Sequence, residues 1–214
     1  MARILITSGP TRQYLDPVRY LSNASSGRMG AALAQSTLAL GHEVVIVSGP
    51  VTVDYPPAAT VLPVTTTDEM LQVASEQFLQ CDGMIGAAAP CDYKPQHIAE
   101  DKLSKTGHPI SIQLIETPDI VATLGESKRD DQWVVGFALE TDDHRFRAIV
   151  KLEKKHCDMI ISNGPSAIDS ADNQVEILAA DGSLVAEVHG TKQVVADTIL
   201  AEIHRQFIQE RASS

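Results

Sequence analysis

An α/β fold is predicted, with a doubly wound, mainly parallel sheet, helices on both faces and a C-terminal β-hairpin. Short strands of Val, Ile and Leu alternate with amphipathic helices, which is typical of parallel sheets covered on both sides. The chain is 43% hydrophobic but only 4% aromatic, so its core has to be aliphatic. The 214 residues contain no repeat and no low-complexity linker, which predicts one Rossmann-like domain over 1–214.

The first half of the chain predicts four strands and two helices. Gly41 ends the first helix, and Thr67 or Asp68 is expected to cap the second. In chain order, the predicted elements are strand Arg3–Thr7, helix Ser26–Leu40, strands Glu43–Val47 and Thr60–Val64, helix Asp68–Leu79 and strand Gly83–Ala88.

The second half begins with a long loop, because Pro90–His108 carries Pro, Gly and charges without a period. Within it, residues 94–108 are expected to be mobile. Thr117 is predicted to cap the next helix, with Pro118 at its first position. The elements that follow are strand Ser111–Ile115, the helix after Thr117, strand Trp133–Phe137, helix Thr141–His156, strand Met159–Ser162, hairpin strands Val175–Ala179 and Leu184–Val188, and helix Thr191–Glu210.

Composition excludes several classes of protein. The formal net charge of −11 argues against a general nucleic-acid-binding face. The three cysteines, Cys81, Cys91 and Cys157, are too few and too scattered for a disulfide framework or a zinc site. No apolar run approaches the length of a membrane span, and the N-terminus has no signal-peptide pattern. We therefore expect a cytoplasmic protein that does not bind membranes.

The site is expected where the parallel strands end, because ligands of doubly wound sheets bind at the carboxyl ends. A dinucleotide fingerprint would place G-x-G-x-x-G directly after the first strand and an acid at the end of the second. Only Gly27 and Gly30 are present, about fifteen residues late, and Ser48–Pro50 contains no acid. These glycines fit a tight turn and a ligand contact equally well. No P-loop sequence occurs.

Motifs along nearly the whole chain resemble phosphopantothenoylcysteine synthetase, a family of coenzyme A biosynthesis. The first group of matching residues, between Thr7 and Gly30, is long enough to be highly specific. The family commonly has Lys-x-Lys-Lys where this chain has Lys102-Leu103-Ser104-Lys105, so a serine replaces the middle lysine. The matching segments are Thr7–Arg12, Leu15–Asn23, Ser25–Gly30, Ala87–Tyr93, Lys102–Lys105, Pro118–Val121 and Gly136–Thr141.

The resemblance implies a ligase that joins 4'-phosphopantothenate to L-cysteine through an acyl-cytidylate, with CTP as co-substrate and Mg²⁺ as cofactor. It also implies a homodimer, and a synthetase without the decarboxylase domain that precedes it in many members. Two alternatives stay open: an NAD(P)- or flavin-binding reductase, and a non-catalytic nucleotide-binding module. The displaced glycines argue against the reductase. The module is disfavoured by the joint presence of Asn23, Asp92, Lys102, Lys151 and Lys155.

The resemblance makes Asn23 and Lys102 the catalytic candidates. A neutral amide suits an acyl phosphate and its developing oxyanion, although a turn asparagine is the ordinary alternative. Lys102 is implied to close on the triphosphate, against the alternative of a solvated loop lysine. Arg28 also flanks Asn23, and an arginine suits bidentate binding of phosphate or carboxylate; a solvated loop arginine is the alternative. The implied substrate-binding residues are Arg19, Ser25, Ser26, Gly27, Ala88 and Ala89; simple N-capping is the alternative for the serines.

The resemblance also implies a nucleotide site. Lys151 and Lys155 lie four apart on one helix, where they suit either phosphates or the helix dipole. Phe137 suits either the cytidine pocket or the core. No metal ligand can be assigned from the sequence. The implied nucleotide-binding residues are Gly86, Ala87, Ala88, Asp92, Lys102, Pro118, Asp119, Ile120, Val121, Phe137, Lys151 and Lys155.

Overall fold

The computed structural model describes residues 1–139, 144–163 and 172–209. An eight-stranded sheet runs through these residues in the order β12-β11-β10-β9-β6-β1-β4-β5, and two two-stranded ribbons, β2-β3 and β7-β8, lie outside it. In chain order the strands are β1 Arg3–Ser8, β2 Arg12–Tyr14, β3 Tyr20–Ser22, β4 Glu43–Ser48, β5 Thr60–Pro63, β6 Gly83–Gly86, β7 Tyr93–Pro95, β8 Leu114–Glu116, β9 Trp133–Leu139, β10 Met159–Asn163, β11 Asp172–Ala179 and β12 Leu184–Thr191.

Helices cover both faces of the sheet. The helices are α1 Arg28–Ala39, α2 Thr67–Phe78, α3 Ile120–Ser127, α4 His144–Lys154 and α5 Lys192–Ile203, and a π-helical turn His204–Gln209 follows α5. Side chains of α1 and α5 bury one face, whereas those of α2, α3 and α4 bury the other. The predicted doubly wound fold with a C-terminal antiparallel hairpin is confirmed.

The strand order places a switch point at β1. The chain passes from β1 to β4 and β5 on one side, then crosses to β6 and β9 on the other. All neighbours from β10 to β5 are parallel. Helices that leave β1 and β6 therefore diverge to opposite sides, which opens a crevice at the carboxyl ends of these two strands.

Aliphatic side chains fill both cores, as the composition predicted. Ile4 and Ile6 of β1 face α1 and α5, whereas Leu5 between them faces α2. The period of two along the strand follows from the pleat, and it makes each central strand apolar on both faces. Trp133 is the largest fully buried side chain, and its ring stacks on Phe207 at a centroid distance of 5.6 Å.

The ribbons differ from the prediction. The polar stretch after β1 contains the β2-β3 hairpin, and the loop predicted at 90–108 contains β7. The strand expected at Ser111–Ile115 lies instead at Leu114–Glu116, where it pairs with β7 and not with the main sheet. Three-residue strands carry too little periodic pattern to be predicted from sequence.

The helix ends also need correction. Thr66, not Thr67 or Asp68, caps α2 through a capping box with Glu69. Asp119, not Thr117, caps α3, since its carboxylate accepts the amide of Ala122. Strand β6 ends at Gly86, two residues earlier than predicted. The predicted start of a helix at 141 and the predicted helix end at 210 lie outside the described residues. Among the described residues, no helix is long and apolar enough to cross a membrane.

Candidate active site

A cleft of about 340 Å³ opens at the carboxyl ends of β1, β6 and β9. Its floor comes from strand ends, and its walls come from the chain after β6, the start of α3 and the end of α4. This is the switch-point crevice of the fold. The lining residues are Thr7, Gly86, Ala88, Pro90, Cys91, Asp92, Tyr93, Glu116, Thr117, Pro118, Asp119, Ile120, Val121, Phe137, Lys154 and Lys155.

Most of the predicted nucleotide-binding residues line this one cleft, although they come from distant parts of the sequence. They are Gly86, Ala88, Asp92, Pro118, Asp119, Ile120, Val121, Phe137 and Lys155. Ala87 lies next to the cleft, where its amide donates to the carbonyl of Thr7. Phe137 is half-buried. It lines the cleft and also packs against the core, so its position fits both a pocket residue and a core residue.

Charges of both signs meet at the cleft. Lys155 Nζ lies 3.0 Å from a carboxylate oxygen of Asp119, and both side chains remain partly exposed. The carboxylates of Asp92 and Glu116 line the cleft as well, as does Lys154. An ion pair that water reaches is worth about 0–1 kcal/mol, so an incoming anion can exchange for Asp119 at little cost.

Lys154 and Glu116 line the cleft although the sequence did not predict them as site residues, whereas Lys151, which it did predict, does not line it. Helix α4 ends at Lys154, and Lys155 follows in a turn whose amide donates to the carbonyl of Lys151. The end of the helix therefore directs residues 154 and 155 to the cleft, whereas Lys151 is not among the lining residues. The spacing of basic residues alone could not show where the helix ends.

Asn23 lies at the mouth of the cleft. It follows directly after the β2-β3 hairpin, and its side-chain amide donates to the carbonyl of Pro90 at 2.9 Å. Pro90 is itself a lining residue. Asn23 is exposed, and its side-chain NH₂ group carries a second N–H besides the one bonded to Pro90, which can donate to a ligand. The hairpin thus brings this amide to the same opening as Asp92 and Lys155.

Helix α1 is directly preceded by Ser25, Ser26 and Gly27. Gly27 is the N-cap residue, with a left-handed backbone (φ 74°), and no side chain caps the helix. N-capping by Ser25 or Ser26, the alternative considered for these serines, is therefore wrong. Gly30 packs on β1, where an added Cβ would lie 2.1 Å from Ser8 Oγ. The fold therefore accounts for both glycines: Gly27 adopts a left-handed backbone at the turn, and Gly30 allows α1 to approach β1 closely.

Arg19 lies at the tip of the β2-β3 hairpin and binds the buried carboxylate of Asp16. The Arg19 guanidinium holds the pKa of Asp16 well below its usual range, and the amides of Val18, Arg19 and Leu103 add to this effect against the cost of burial. Arg19 also donates to the carbonyl of Leu103 at 2.6 Å. Its side chain remains 44% exposed, which leaves guanidinium N–H groups accessible to a ligand.

Lys102 lies outside the cleft. It is exposed, one residue before Leu103, on the segment that Asp16 and Arg19 hold. Ala89 lies between the two regions, with its amide bonded to the carbonyl of Gly9. Residues 94–108 begin in β7, and the structure does not test their predicted mobility.

A buried hydrogen-bond network supports the cleft from behind. Thr11 Oγ1 lies 2.8 Å from Thr67 Oγ1 and accepts the amide of Cys91 at 2.9 Å. The hydroxyl of Thr117 donates to the carbonyl of Cys91 at 2.5 Å. These bonds fix the chain between Pro90 and Asp92, and the Cys91 thiol is buried. Sequence analysis missed this network, because threonines in loops carry no distinctive signal.

The cysteines are free and buried, as expected of small core residues. Burial raises the pKa of Cys81 to about 11 and that of Cys157 to about 12. Both groups therefore remain protonated thiols at neutral pH.

A second cleft of about 550 Å³ lies between α1, the segment around Tyr55 and the start of α5. Arg28, considered above as a phosphate ligand, lines this cleft and not the first. Gln35, Asp54 and Lys192 line it as well. The structure thus separates Arg28 from the residues with which the sequence grouped it.

The fold and the first cleft define a Rossmann-like α/β domain with a ligand crevice at its switch point. The chain belongs to the DFP family, described as the DNA/pantothenate metabolism flavoprotein C-terminal domain, whose model matches residues 1–207. The family resemblance predicted from the motifs is confirmed at this level.

Individual relatives agree. A coenzyme A biosynthesis bifunctional protein CoaBC from Vibrio vulnificus (strain CMCP6) is 39% identical over 206 residues, which cover 94% of this chain and 51% of that protein. The chain thus spans about half the length of the curated relatives it matches.

Two solved structures are similar. The crystal structure of the C-terminal domain of a CoaBC protein is 37% identical with a TM-score of 0.82, and the match covers 95% of this chain and 94% of that one. A Cab2 variant in complex with phosphopantothenate-cysteine has a TM-score of 0.82 at 18% identity, covering 99% and 88%. The latter likeness shows the fold alone.

Proposed function

We propose that this domain joins 4'-phosphopantothenate to L-cysteine, with CTP as the activating nucleotide. In the first step a substrate carboxylate oxygen attacks the α-phosphorus of CTP, the bond to the β-phosphate breaks, and pyrophosphate leaves. In the second step the cysteine amine attacks the acyl carbon, the C–O bond breaks, and CMP leaves while the amine loses a proton. Family membership supports this proposal, together with the coenzyme A biosynthesis for which the CoaBC relatives are named.

The observation that carries the proposal is the position of Asn23. A hairpin outside the main sheet brings a neutral amide to the mouth of the cleft through its bond to Pro90. An acyl phosphate at this mouth could accept hydrogen bonds from the amide without the cost of an added buried charge. Such donors, fixed in advance, stabilise charge that develops in a transition state.

The cleft suits a triphosphate when Lys155 is released from its ion pair with Asp119. Lys155 can exchange Asp119 for phosphate oxygens, and Lys154 lies beside it. The start of α3 adds backbone N–H groups at Ile120 and Val121, where a helix N-terminus favours anions. Phe137 offers an apolar surface to a base, although none of these groups alone distinguishes cytosine from adenine.

Magnesium fits the donor set of the cleft. Mg²⁺ prefers a few carboxylate oxygens together with substrate phosphates, and Asp92 and Glu116 place carboxylates at the lining. When bound, the ion would neutralise part of the triphosphate charge. Lys102 is the remaining candidate cation, and its exposed side chain would have to turn toward the cleft to reach the phosphates while its backbone stays in place.

Steady-state assays of pyrophosphate release test the function. Release should require both CTP and 4'-phosphopantothenate, and product mass should require L-cysteine as well. In a thermal-shift screen with CTP, ATP, NADH and FMN, each with Mg²⁺, CTP should stabilise the protein by about 2.7 kcal/mol at a hundredfold excess over its Kd. Stabilisation by NADH or FMN alone would favour the reductase instead. Equal stabilisation by ATP would remove the preference for CTP.

A homodimer is part of the proposal. The two ribbons lie side by side, β2 next to β7, and exposed apolar side chains lie on their strands and on the segments that connect those strands; we refer to them as the ribbon patch. Patches of this kind mark interaction surfaces, and a second copy would cover them symmetrically. The ribbon patch consists of Val18, Tyr20, Tyr93, Ile98, Ile110, Ile112, Leu114 and Ile115, each 40–61% exposed.

Light scattering on a size-exclusion column tests the dimer. The chain should elute with twice its mass of 23.0 kDa, and Ile112→Lys should shift it to the monomer. Val194→Lys, at an exposed apolar position on α5, is the control that should leave the mass unchanged. A monomeric wild-type chain would contradict the proposal.

The proposal also places the protein in the cytoplasm.

A further inference from the structure

Asp16 uses its two carboxylate oxygens for two separate tasks. Oδ1 accepts the amides of Val18 and Arg19, both at 2.8 Å, and so closes the turn of its own hairpin. Oδ2 accepts Nε of Arg19 at 2.9 Å and the amide of Leu103 at 3.1 Å. The side chain of Asp16 is fully buried, so these bonds replace all contact with water.

Both backbone polar groups of Leu103 are held. Its N–H donates to Asp16, and its carbonyl accepts Arg19 Nη2. The flanking residues Lys102 and Ser104 are exposed. A further bond joins the amide of Ala99 to the carbonyl of Leu15, so the segment is attached to the hairpin at two points.

The attachment at Leu103 depends on a buried charge. A buried carboxylate without its cation is strongly unfavourable, so Asp16 and Arg19 retain each other. Hydrogen bonds to an ionised acceptor are about twice as strong as neutral ones, which makes the bond to the Leu103 amide stronger than an ordinary loop contact. The backbone next to Lys102 is therefore fixed relative to the hairpin that Asn23 directly follows.

We propose that Asp16 is a positioning residue, which acts through Leu103 to hold the segment carrying Lys102 beside the hairpin that carries Arg19 and Asn23. The proposal rests on the proposed function, because Lys102 is that function's candidate catalytic lysine. It adds that two candidate catalytic groups, 79 positions apart in sequence, are aligned by one carboxylate that is itself fully buried.

Asp16→Asn tests the proposal with a minimal change. The amide oxygen can keep the two turn amides, whereas the new NH₂ group would face the N–H of Leu103 and the guanidinium, and two donors cannot bond. Asp101→Asn is the matched control, because it removes the same charge from an exposed side chain one residue before Lys102. Hydrogen exchange and pyrophosphate-release kinetics are measured on both variants.

In Asp16→Asn, exchange of the Leu103 amide should accelerate at least tenfold and kcat should fall about tenfold or more, a free-energy change of about 1.4 kcal/mol. The KM for CTP should stay within about twofold, because the cleft residues are untouched. Asp101→Asn should match the wild type in all three readouts. A variant that is merely less stable, with kcat unchanged, would overturn the proposal.

The wild-type protein provides a test that does not depend on the variant's folding. Its Leu103 amide should exchange at least tenfold more slowly than the amide of Ser104. Equal rates would overturn the tether even if Asp16→Asn fails to fold. Hydrogen exchange also separates the two proposals: a protected Leu103 amide in a chain that releases no pyrophosphate would leave the tether standing while the proposed function fails.

Discussion

Asn23 supplies the proposed reaction with a donor that carries no charge. Asn23→Asp keeps the size of the side chain but places a carboxylate 2.9 Å from the carbonyl of Pro90, where two acceptors repel. We expect product formation to fall about 10²–10³-fold, the usual cost of losing one oxyanion donor. Rates of product formation and a thermal melt give the comparison. Wild-type turnover in Asn23→Asp would remove this residue from the mechanism.

Lys102 is tested by a pair of lysines on the same segment. Lys102→Ala should abolish most of the pyrophosphate release, because the proposed chemistry develops charge on the triphosphate. Lys105→Ala changes an equally exposed lysine three residues away and should retain most of the activity. Because both side chains are exposed, neither variant should alter the melting temperature appreciably. Equal losses in the two variants would show that only the charge of the segment matters.

The sequence predicted which strand ends meet at the cleft better than it predicted how the basic residues are arranged around it. Residues at strand ends and at the start of α3 could be predicted to meet, because the fold class places those ends together. Lys154 could not be distinguished from Lys151, because that requires the position at which α4 ends. Arg28 was grouped with Asn23 through proximity in sequence, yet the start of α1 turns it toward another cleft.

At the scale of elements, the packing of α1 on β1 sets one side of the switch point. A Cβ at Gly30 would lie 2.1 Å from Ser8 Oγ and 2.5 Å from Ser8 Cβ. Gly30→Ala should therefore lower the free energy of unfolding by about 1–3 kcal/mol, the usual cost of overpacking. Urea denaturation measures the change. Gln35→Ala, on the exposed face of α1, is the control and should stay within about 0.5 kcal/mol of the wild type.

The central strands and helices could be predicted because each repeats its apolar pattern often enough. The ribbons could not. Strands β2 and β3 have three residues each. The turn between them is closed by Asp16, which is held in turn by a bond to the amide of Leu103, 87 positions away in the sequence. These weakly patterned elements carry Arg19 and Asn23, so the least predictable part of the fold positions the groups closest to the proposed chemistry.

At the scale of the whole molecule, a histidine pair joins the two ends of the chain that the structure describes. The amide of Ala2 donates to Nδ1 of His42 at 3.2 Å, and Nε2 of His42 lies 2.9 Å from Nδ1 of His204. Because Nδ1 of His42 accepts a hydrogen bond, the ring proton of neutral His42 lies on Nε2. This N–H donates to Nδ1 of His204. A neutral His42 thus ties the start of β1 to the turn after α5.

This pair predicts how stability depends on pH. Burial lowers the pKa of His42, and the neighbouring His204 and the terminal amino group lower it further, against the opposite effect of Asp82. The unfolded chain therefore takes up this proton at a higher pH than the folded protein. The free energy of unfolding should fall as the pH drops below about 6.5, the ordinary pKa of histidine.

Denaturation curves at several pH values between 5.5 and 8 measure this slope. His42→Gln should flatten it, whereas His108→Gln, at an exposed position, should leave it as in the wild type. A slope that His42→Gln leaves unchanged would assign the effect to other groups.

The central claim is that the cleft between β1, β6 and α3 binds the nucleotide, with Asn23 at its mouth. A crystal structure of the protein with CTP and Mg²⁺ tests this claim most directly. It should place the triphosphate between Asp92 and Lys155, near the start of α3, with the α-phosphate toward Asn23. CTP bound in the second cleft, beside Arg28 and Tyr55, would contradict it.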